Sequence, residues 1–98
     1  MSRRPLREIA HARAGDKGNR SNVSVFAYAA EHYPVLLAEV TPARLKREFG
    51  GVLRGEIVRY ELPNLNGINL VSVNESLNLD GHGKSWSSLI LGMEIEVP

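Results

Sequence analysis

The chain has 98 residues, and its 12 Lys and Arg against 11 Asp and Glu leave a net charge of +1. This length accommodates a single domain over residues 1–98, and the near-neutral charge lacks the basic excess of dedicated nucleic-acid binders. The absence of cysteine excludes disulfides, thiolate catalysis and cysteine-ligated metals. With no apolar run long enough to cross a bilayer and no signal-peptide pattern, we expect a cytoplasmic protein with no nucleic-acid or membrane partner.

The first half of the chain predicts two strands followed by two helices. Residues 6–12 alternate imperfectly and predict a short strand, while residues 21–29 predict a strand that is apolar on both faces. Apolar residues at positions 33, 36, 37 and 40 have the spacing of an amphipathic helix. Thr41 and Pro42 are typical of the cap and first turn of a second helix, whose basic flank at residues 44–47 indicates a solvated face.

The second half predicts a hairpin, a third helix and a closing strand. Residues 55–62 alternate Val58, Tyr60 and Leu62 with Arg59 and Glu61, as a strand does. Residues 63–67 predict a turn, and residues 68–73 predict the return strand. Positions 86, 89, 90 and 93 have helical spacing, and residues 94–97 predict a short edge strand.

Without the first strand, this order of elements is βαββαβ, the ferredoxin-like split motif. We therefore expect an α+β fold, a ferredoxin-like sandwich with an extra N-terminal strand and helices on one face of a mainly antiparallel sheet. The apolar second face of residues 21–29 favours a contact with another chain. We expect a homo-oligomer or a complex with a different protein.

Two glycine-punctuated polar motifs, residues 13–19 and residues 80–84, carry the candidate ligand-binding residues. Each combines an acid, a lysine and two glycines. Glycine permits a close backbone approach, and lysine with free backbone N–H groups attracts anions. The same residues also fit a tight turn at the first motif and a helix N-cap at the second. The candidates are Arg13, Gly15, Asp16, Lys17, Gly18, Asn19, Asp80, His82, Gly83 and Lys84.

No complete catalytic signature accompanies these motifs. The sequence lacks the P-loop spacing, the nucleophile elbow of serine hydrolases and the paired histidines of a helical metal site. His82 has a side chain suited to proton transfer, but the sequence shows no partner that would tune it. We expect no metal and no cofactor, and we assign no catalytic residue.

The order of the strands sets an expectation for where the two motifs lie. We take strands one and three of the ferredoxin-like sheet as parallel, with the first motif entering strand one and the second leaving strand three. On that basis the motifs lie at opposite ends of the sheet. A combined site would then need two protomers, or a change of geometry by the extra first strand.

Three segments in order, residues 6–19, 59–65 and 80–84, resemble the motifs of the AtuA-like ferredoxin-fold domain. The resemblance covers nearly the whole chain. It implies the C-terminal domain of acyclic terpene utilisation protein A, which also occurs as a small protein beside a separate N-terminal-type protein. The larger proteins are linked to catabolism of branched, terpene-derived acyl-CoA. Ala14 replaces an expected Ser, and the stretch between Val73 and Asp80 is shorter than usual.

This resemblance favours a non-catalytic accessory or regulatory subunit that partners an AtuA-type N-terminal-domain protein. The subunit would bind an anionic small molecule through its glycine motifs. The alternative is a small enzyme with an anion-binding active site between protomers, in which His82 or Asp16 moves protons. A third interpretation is a self-assembling structural module with no ligand.

Overall fold

The computed structural model describes residues 2–17, 20–49, 56–73 and 86–98. Within these ranges the chain forms six strands and three helices, joined in part by short 3-10 turns. In chain order the elements are β1 (Ser2–Pro5), β2 (Ala10–Lys17), β3 (Arg20–Ala27), α1 (Tyr33–Glu39), α2 (Pro42–Phe49), β4 (Glu56–Leu62), β5 (Gly67–Val73), α3 (Trp86–Leu91) and β6 (Glu94–Val97). None of the helices in these ranges is both long and apolar enough to cross a membrane.

The strands form two sheets, and every pairing is antiparallel. The larger sheet has the order β2-β3-β5-β4, and the smaller sheet pairs β1 with β6. Since β5 lies between β3 and β4, the segment from β3 through the helices to β4 is a split βαβ unit. The expected α+β class with a mainly antiparallel sheet is confirmed.

The strands at the two ends of the chain differ in detail from the prediction. Leu6–Glu8 is a 3-10 turn rather than strand, and β2 starts only at Ala10 and runs on through Lys17. The predicted closing strand exists as β6, but it pairs with β1 instead of joining the larger sheet. The edge position beside β3 is filled by β2, which pairs with β3 along its whole length and is separated from it by two residues in the sequence.

The two faces of the larger sheet have different surroundings. Val23, Val25, Ile68 and Leu70 face the helices and are fully buried. This helix-side face and the inner sides of α1, α2, α3 and β6 form one core. The opposite face of the sheet, called the open face below, carries side chains that are half-buried or exposed. Those with described side chains are His11, Arg13, Asn22, Ser24, Phe26, Glu56, Val58, Tyr60, Leu62, Asn69 and Val71.

The helix pair α1–α2 begins and ends as its sequence predicts. Pro34 lies in the first turn of α1, where its missing N–H costs nothing. The Thr41 hydroxyl accepts a hydrogen bond of 3.2 Å from the backbone N–H of Arg44 and caps α2. The predicted solvated basic flank is wrong for Arg44, whose side chain is only 15% exposed.

Strand β4 keeps the predicted alternation, yet its apolar series Val58, Tyr60 and Leu62 lies on the open face. On the helix side, Ile57 is buried and Arg59 reaches the end of α1. The Arg59 guanidinium donates to the carbonyls of Leu37 at 2.8 Å and Val40 at 3.0 Å. These are carbonyls that a helix C-terminus leaves without intrahelical partners, so an arginine is stable on the covered face.

Candidate functional site

One end of the larger sheet gathers the strand ends that adjoin both glycine motifs. Lys17 pairs with Arg20, Arg20 pairs with Val73, and Val73 pairs with Glu56. We call this row the loop edge. The first motif joins β2 to β3 here, and the chain leaves β5 here toward residues 80–84. The expectation that the motifs attach at opposite ends is therefore wrong.

The physical reason for this error is strand direction. In the split βαβ arrangement β3 and β4 run parallel, and the strand inserted between them runs against both. Strands one and three of the motif are therefore antiparallel, so the start of β3 and the end of β5 share one edge. Neighbouring strands lie about 5 Å apart, so a single chain brings the flanks of the two motifs together.

The first motif is mostly strand rather than loop. Arg13, Gly15, Asp16 and Lys17 all belong to β2, in register with Ser24, Asn22, Ser21 and Arg20 of β3. Arg13 lies four residues before the end of β2, roughly 13 Å from the loop edge at about 3.3 Å per residue. The structure thus separates Arg13 from Lys17. Gly18 and Asn19, between the two paired strands, lie outside the described residues.

The second motif lies outside the described residues as a whole. Asp80, His82, Gly83 and Lys84 belong to residues 74–85, between the end of β5 and the start of α3. The predicted helix after this motif is present, starting at Trp86. Whether these four residues bind a ligand or cap that helix stays a prediction.

A row of three rings crosses the far end of the open face. The ring centroid of His11 lies 5.4 Å from that of Phe26 and 5.2 Å from that of Tyr28. The Phe26 ring leans over Gly67, where a Cβ would come within 2.5 Å of Phe26 Cδ1. Glycine at this position therefore lets the ring lie close to the sheet. Tyr28 itself is 66% exposed.

The next row of the open face carries polar groups between two exposed side chains. Arg13, Ser24, Asn69 and Tyr60 follow one another across the four strands. In its middle the Asn69 amide donates a 2.7 Å hydrogen bond to the Ser24 hydroxyl. At its two ends Arg13 and Tyr60 are exposed.

A charged cleft of about 500 Å³ lies on the helix side, between the α1–α2 corner and the β1–β6 sheet. Arg44 joins its walls by ion pairs of 2.5 Å to both Glu39 and Glu48 and by a hydrogen bond to the Glu94 carbonyl. The cleft also carries Arg3, Arg47 and Glu96. Its acids and arginines are mixed, so it presents no single charge to a ligand.

The same contacts keep Arg44 charged. Partial burial lowers the pKa of its guanidinium, but hydrogen bonds and charge attraction from Glu48 and Glu39 outweigh burial and raise the pKa overall. A group with a raised pKa contributes stability that is fully present below its unfolded value and is lost only as pH rises through the folded value. For arginine both values lie far above neutrality, so Arg44 itself adds no pH dependence near pH 7.

The sequence interpretation missed the ring row, the Arg59 contacts and the role of Arg44. Only Arg44 had a local signal, the i,i+4 spacing to Glu48. Among the residues that the structure describes, no three His, Asp or Glu side chains come together as a metal site.

The comparison with protein-family models decides the family. The model of the AtuA ferredoxin-like domain matches residues 4–96, nearly the whole chain. The chain belongs to the AtuA ferredoxin-like domain family. This match confirms the ferredoxin-like fold and the resemblance of the three motifs. Searches of curated proteins and of solved structures found no significant match.

Proposed function

We propose that this AtuA-like domain is a non-catalytic accessory subunit. It partners a large AtuA-type protein in the catabolism of branched, terpene-derived acyl-CoA and binds an anionic ligand at its loop edge. The observation that carries the proposal is the pairing of Arg20 with Val73. Through this pairing, one chain can bring the donors of both glycine motifs to one anion.

The chemistry of the two motifs suits an anion. Lys17 ends β2 and Lys84 belongs to the segment that follows β5, so the motifs supply two ammonium groups. Backbone N–H groups of glycine-rich segments add donors without side chains in the way. Glu56 begins β4 at this edge, where it pairs with Val73. It lies roughly 10 Å from Arg20, because β5 stands between β4 and β3 and neighbouring strands are about 5 Å apart.

The alternative function, a small enzyme with its active site between protomers, has lost its main support. That idea depended on motifs held at opposite ends of the sheet, and the antiparallel register removes the requirement. The family match supports a domain that assists another protein. A binding role needs no catalytic signature, and the sequence contains no complete one.

The partner is tested by affinity purification of the tagged protein from its native host at low salt, with mass spectrometry and a native mass of the eluate. We expect a large AtuA-type protein in stoichiometric amount. An eluate that contains only this chain, whether as a monomer or as an oligomer, would contradict the accessory role.

The ligand site is tested separately by calorimetric titration with pyrophosphate. Each charge-assisted hydrogen bond contributes about 1.5–3 kcal/mol, so Lys17→Ala and Lys84→Ala should each weaken binding about tenfold or more. Arg7→Ala removes an exposed cation before β2, at the opposite end of the sheet, and should leave binding unchanged. Equal affinities in all four proteins would show that the motifs do not bind the anion.

A further inference from the structure

The open face is built as an interface between sheets. Its two central strands carry the Phe26 ring over Gly67 at the far end and, in the next row, the Ser24 and Asn69 side chains that bond each other. Three large apolar side chains are exposed in the described chain, Tyr28, Tyr60 and Leu65. Tyr60 lies on this face, and Tyr28 and Leu65 lie at its far end, beside the β4–β5 turn. Exposed apolar patches of this kind mark contacts with macromolecules.

The composition of the face selects a protein as the occupant. Small ligands prefer concave sites, whereas a sheet face of this kind is broad. Single-stranded nucleic acids are bound by several cations along their path, whereas the described charged side chains of the open face are one cation, Arg13, and one acid, Glu56. Tyrosine and arginine with few other charges are typical of protein interfaces. A central hydrogen bond already made within the chain lowers the cost of burying that face.

The size of the face suits a pair of domains. Four strands of about seven residues cover roughly 19 by 24 Å at the usual strand spacing and rise. The flat area of two such faces is therefore about 900 Å² in total. The accessible surface that they bury is larger, because their side chains project from the sheet. Specific interfaces begin near 1,000 Å² in total, so this face alone reaches the size of a modest dimer.

Self-complementarity identifies the second domain as another copy of this chain. A two-fold axis between two facing sheets, parallel to the strands, places β2 of each copy over β4 of the other and β3 over β5. Each row then faces itself in reverse order. Arg13 of one copy therefore stands over Tyr60 of the second copy, an arrangement that gives a cation–π contact, and this contact occurs twice.

The middle of the same arrangement is also complementary. Phe26 leans from β3 toward β5 over Gly67, hence toward the axis, so the Phe26 rings of the two copies meet there. Packed sheets lie about 10 Å apart, which leaves room for two layers of side chains. The internally bonded Ser24–Asn69 pairs meet each other in the next row.

From these observations we infer that the domain forms a face-to-face homodimer through the open face, with Arg13 of each copy over Tyr60 of the other. This inference does not depend on the proposed function, because the loop edge lies at the end of the sheet. In this arrangement the loop-edge row forms the last row of the interface, where the position of Lys17 faces the position of Glu56 in the second copy.

Sedimentation equilibrium of the full chain, over a wide concentration range, tests this dimer. The variants exchange charges between positions 13 and 60. Arg13→Glu places a carboxylate over a ring face, and Tyr60→Arg places a guanidinium over Arg13. Each should raise the dimer dissociation constant about 10-fold to 100-fold, as expected for two lost cation–π contacts of roughly 1 kcal/mol or more each. The double variant pairs opposite charges and should recover most of the affinity.

Both positions are exposed, so folding should survive, and near-ultraviolet circular dichroism checks that it does. Arg47→Glu, an equal charge change on the exposed side of α2, is the matched control and should dimerise like the unmodified protein. An unmodified chain that stays monomeric, or that binds only a different protein through this face, would overturn the inference. So would a dimer that ignores both single changes, or a double variant with no recovery.

Discussion

At the residue scale, Arg59 connects β4 to α1. Its guanidinium donates to two carbonyls at the end of α1, while its contact with the exposed Glu61 is a long 3.5 Å. We predict that Arg59→Met lowers the free energy of unfolding by about 2 kcal/mol, because hydrogen bonds from a charged donor contribute roughly 1.5–3 kcal/mol. Glu61→Gln should cost less than about 0.5 kcal/mol. Urea denaturation measures both, and equal effects would contradict this assignment.

Gly67 has no side chain, and this leaves the space that the Phe26 ring occupies. A methyl group there would meet Phe26 Cδ1 at 2.5 Å and the Val25 carbonyl at 2.9 Å. We predict that Gly67→Ala destabilises the fold by about 1–3 kcal/mol, as overpacking does. Adding Phe26→Ala removes the ring contact, so the double variant should be more stable than the sum of the single effects implies. Strict additivity in thermal or urea unfolding would show that the ring does not lean on Gly67.

At the element scale, the stability of α2 depends on its N-terminal cap. Thr41 accepts from the Arg44 N–H, so Thr41→Ala should cost about 1 kcal/mol of unfolding free energy and Thr41→Ser should keep most of it. Chemical denaturation measures these changes in unfolding free energy, and its dependence on denaturant concentration should be the same in all variants. Identical stabilities of the Ala and Ser variants would mean that the hydroxyl does not cap the helix.

Most helices and strands could be predicted from the local sequence pattern. Which strands pair with each other could not be predicted in this way. The helical spacing at positions 33–40 and the Thr41–Pro42 start are local signals, and the structure confirms both. The extension of β2 through Gly15 to Lys17 was missed because two glycines and an Asp are typical of turns, whereas pairing with β3 overrides that preference. The pairing of β6 with β1 joins the two ends of the chain, and no local pattern encodes such a contact.

At the scale of the whole molecule, strand direction decides what the glycine motifs can do together. The sequence shows both motifs but not their distance, since that depends on whether β3 and β5 run parallel or antiparallel. The antiparallel register puts Arg20 beside Val73, so the strand ends that lead to the two motifs lie at one edge of the sheet. The choice of candidate residues stays a prediction from sequence, whereas the edge at which their flanking strands end required the sheet.

The proposed anion site and the inferred dimer contact involve different rows of the same sheet. The loop edge carries the proposed anion site, and the open face carries the inferred dimer contact, with Arg13 belonging to the face rather than to the edge. A change at Arg13 should therefore alter self-association and leave pyrophosphate binding intact, whereas Lys17→Ala should weaken pyrophosphate binding. Sedimentation and calorimetry on the same two variants would measure this separation.

The most direct measurement of the central claim is a pyrophosphate titration of the ¹⁵N-labelled protein, followed by two-dimensional amide NMR. If one chain gathers both motifs around one anion, the amide signals of residues 17–20 and 80–84 should shift together and fit a single dissociation constant. In Lys17→Ala both sets should shift with one dissociation constant that is about tenfold or more higher than in the unmodified protein. Shifts confined to one motif, or two motifs that titrate with different constants, would contradict the account.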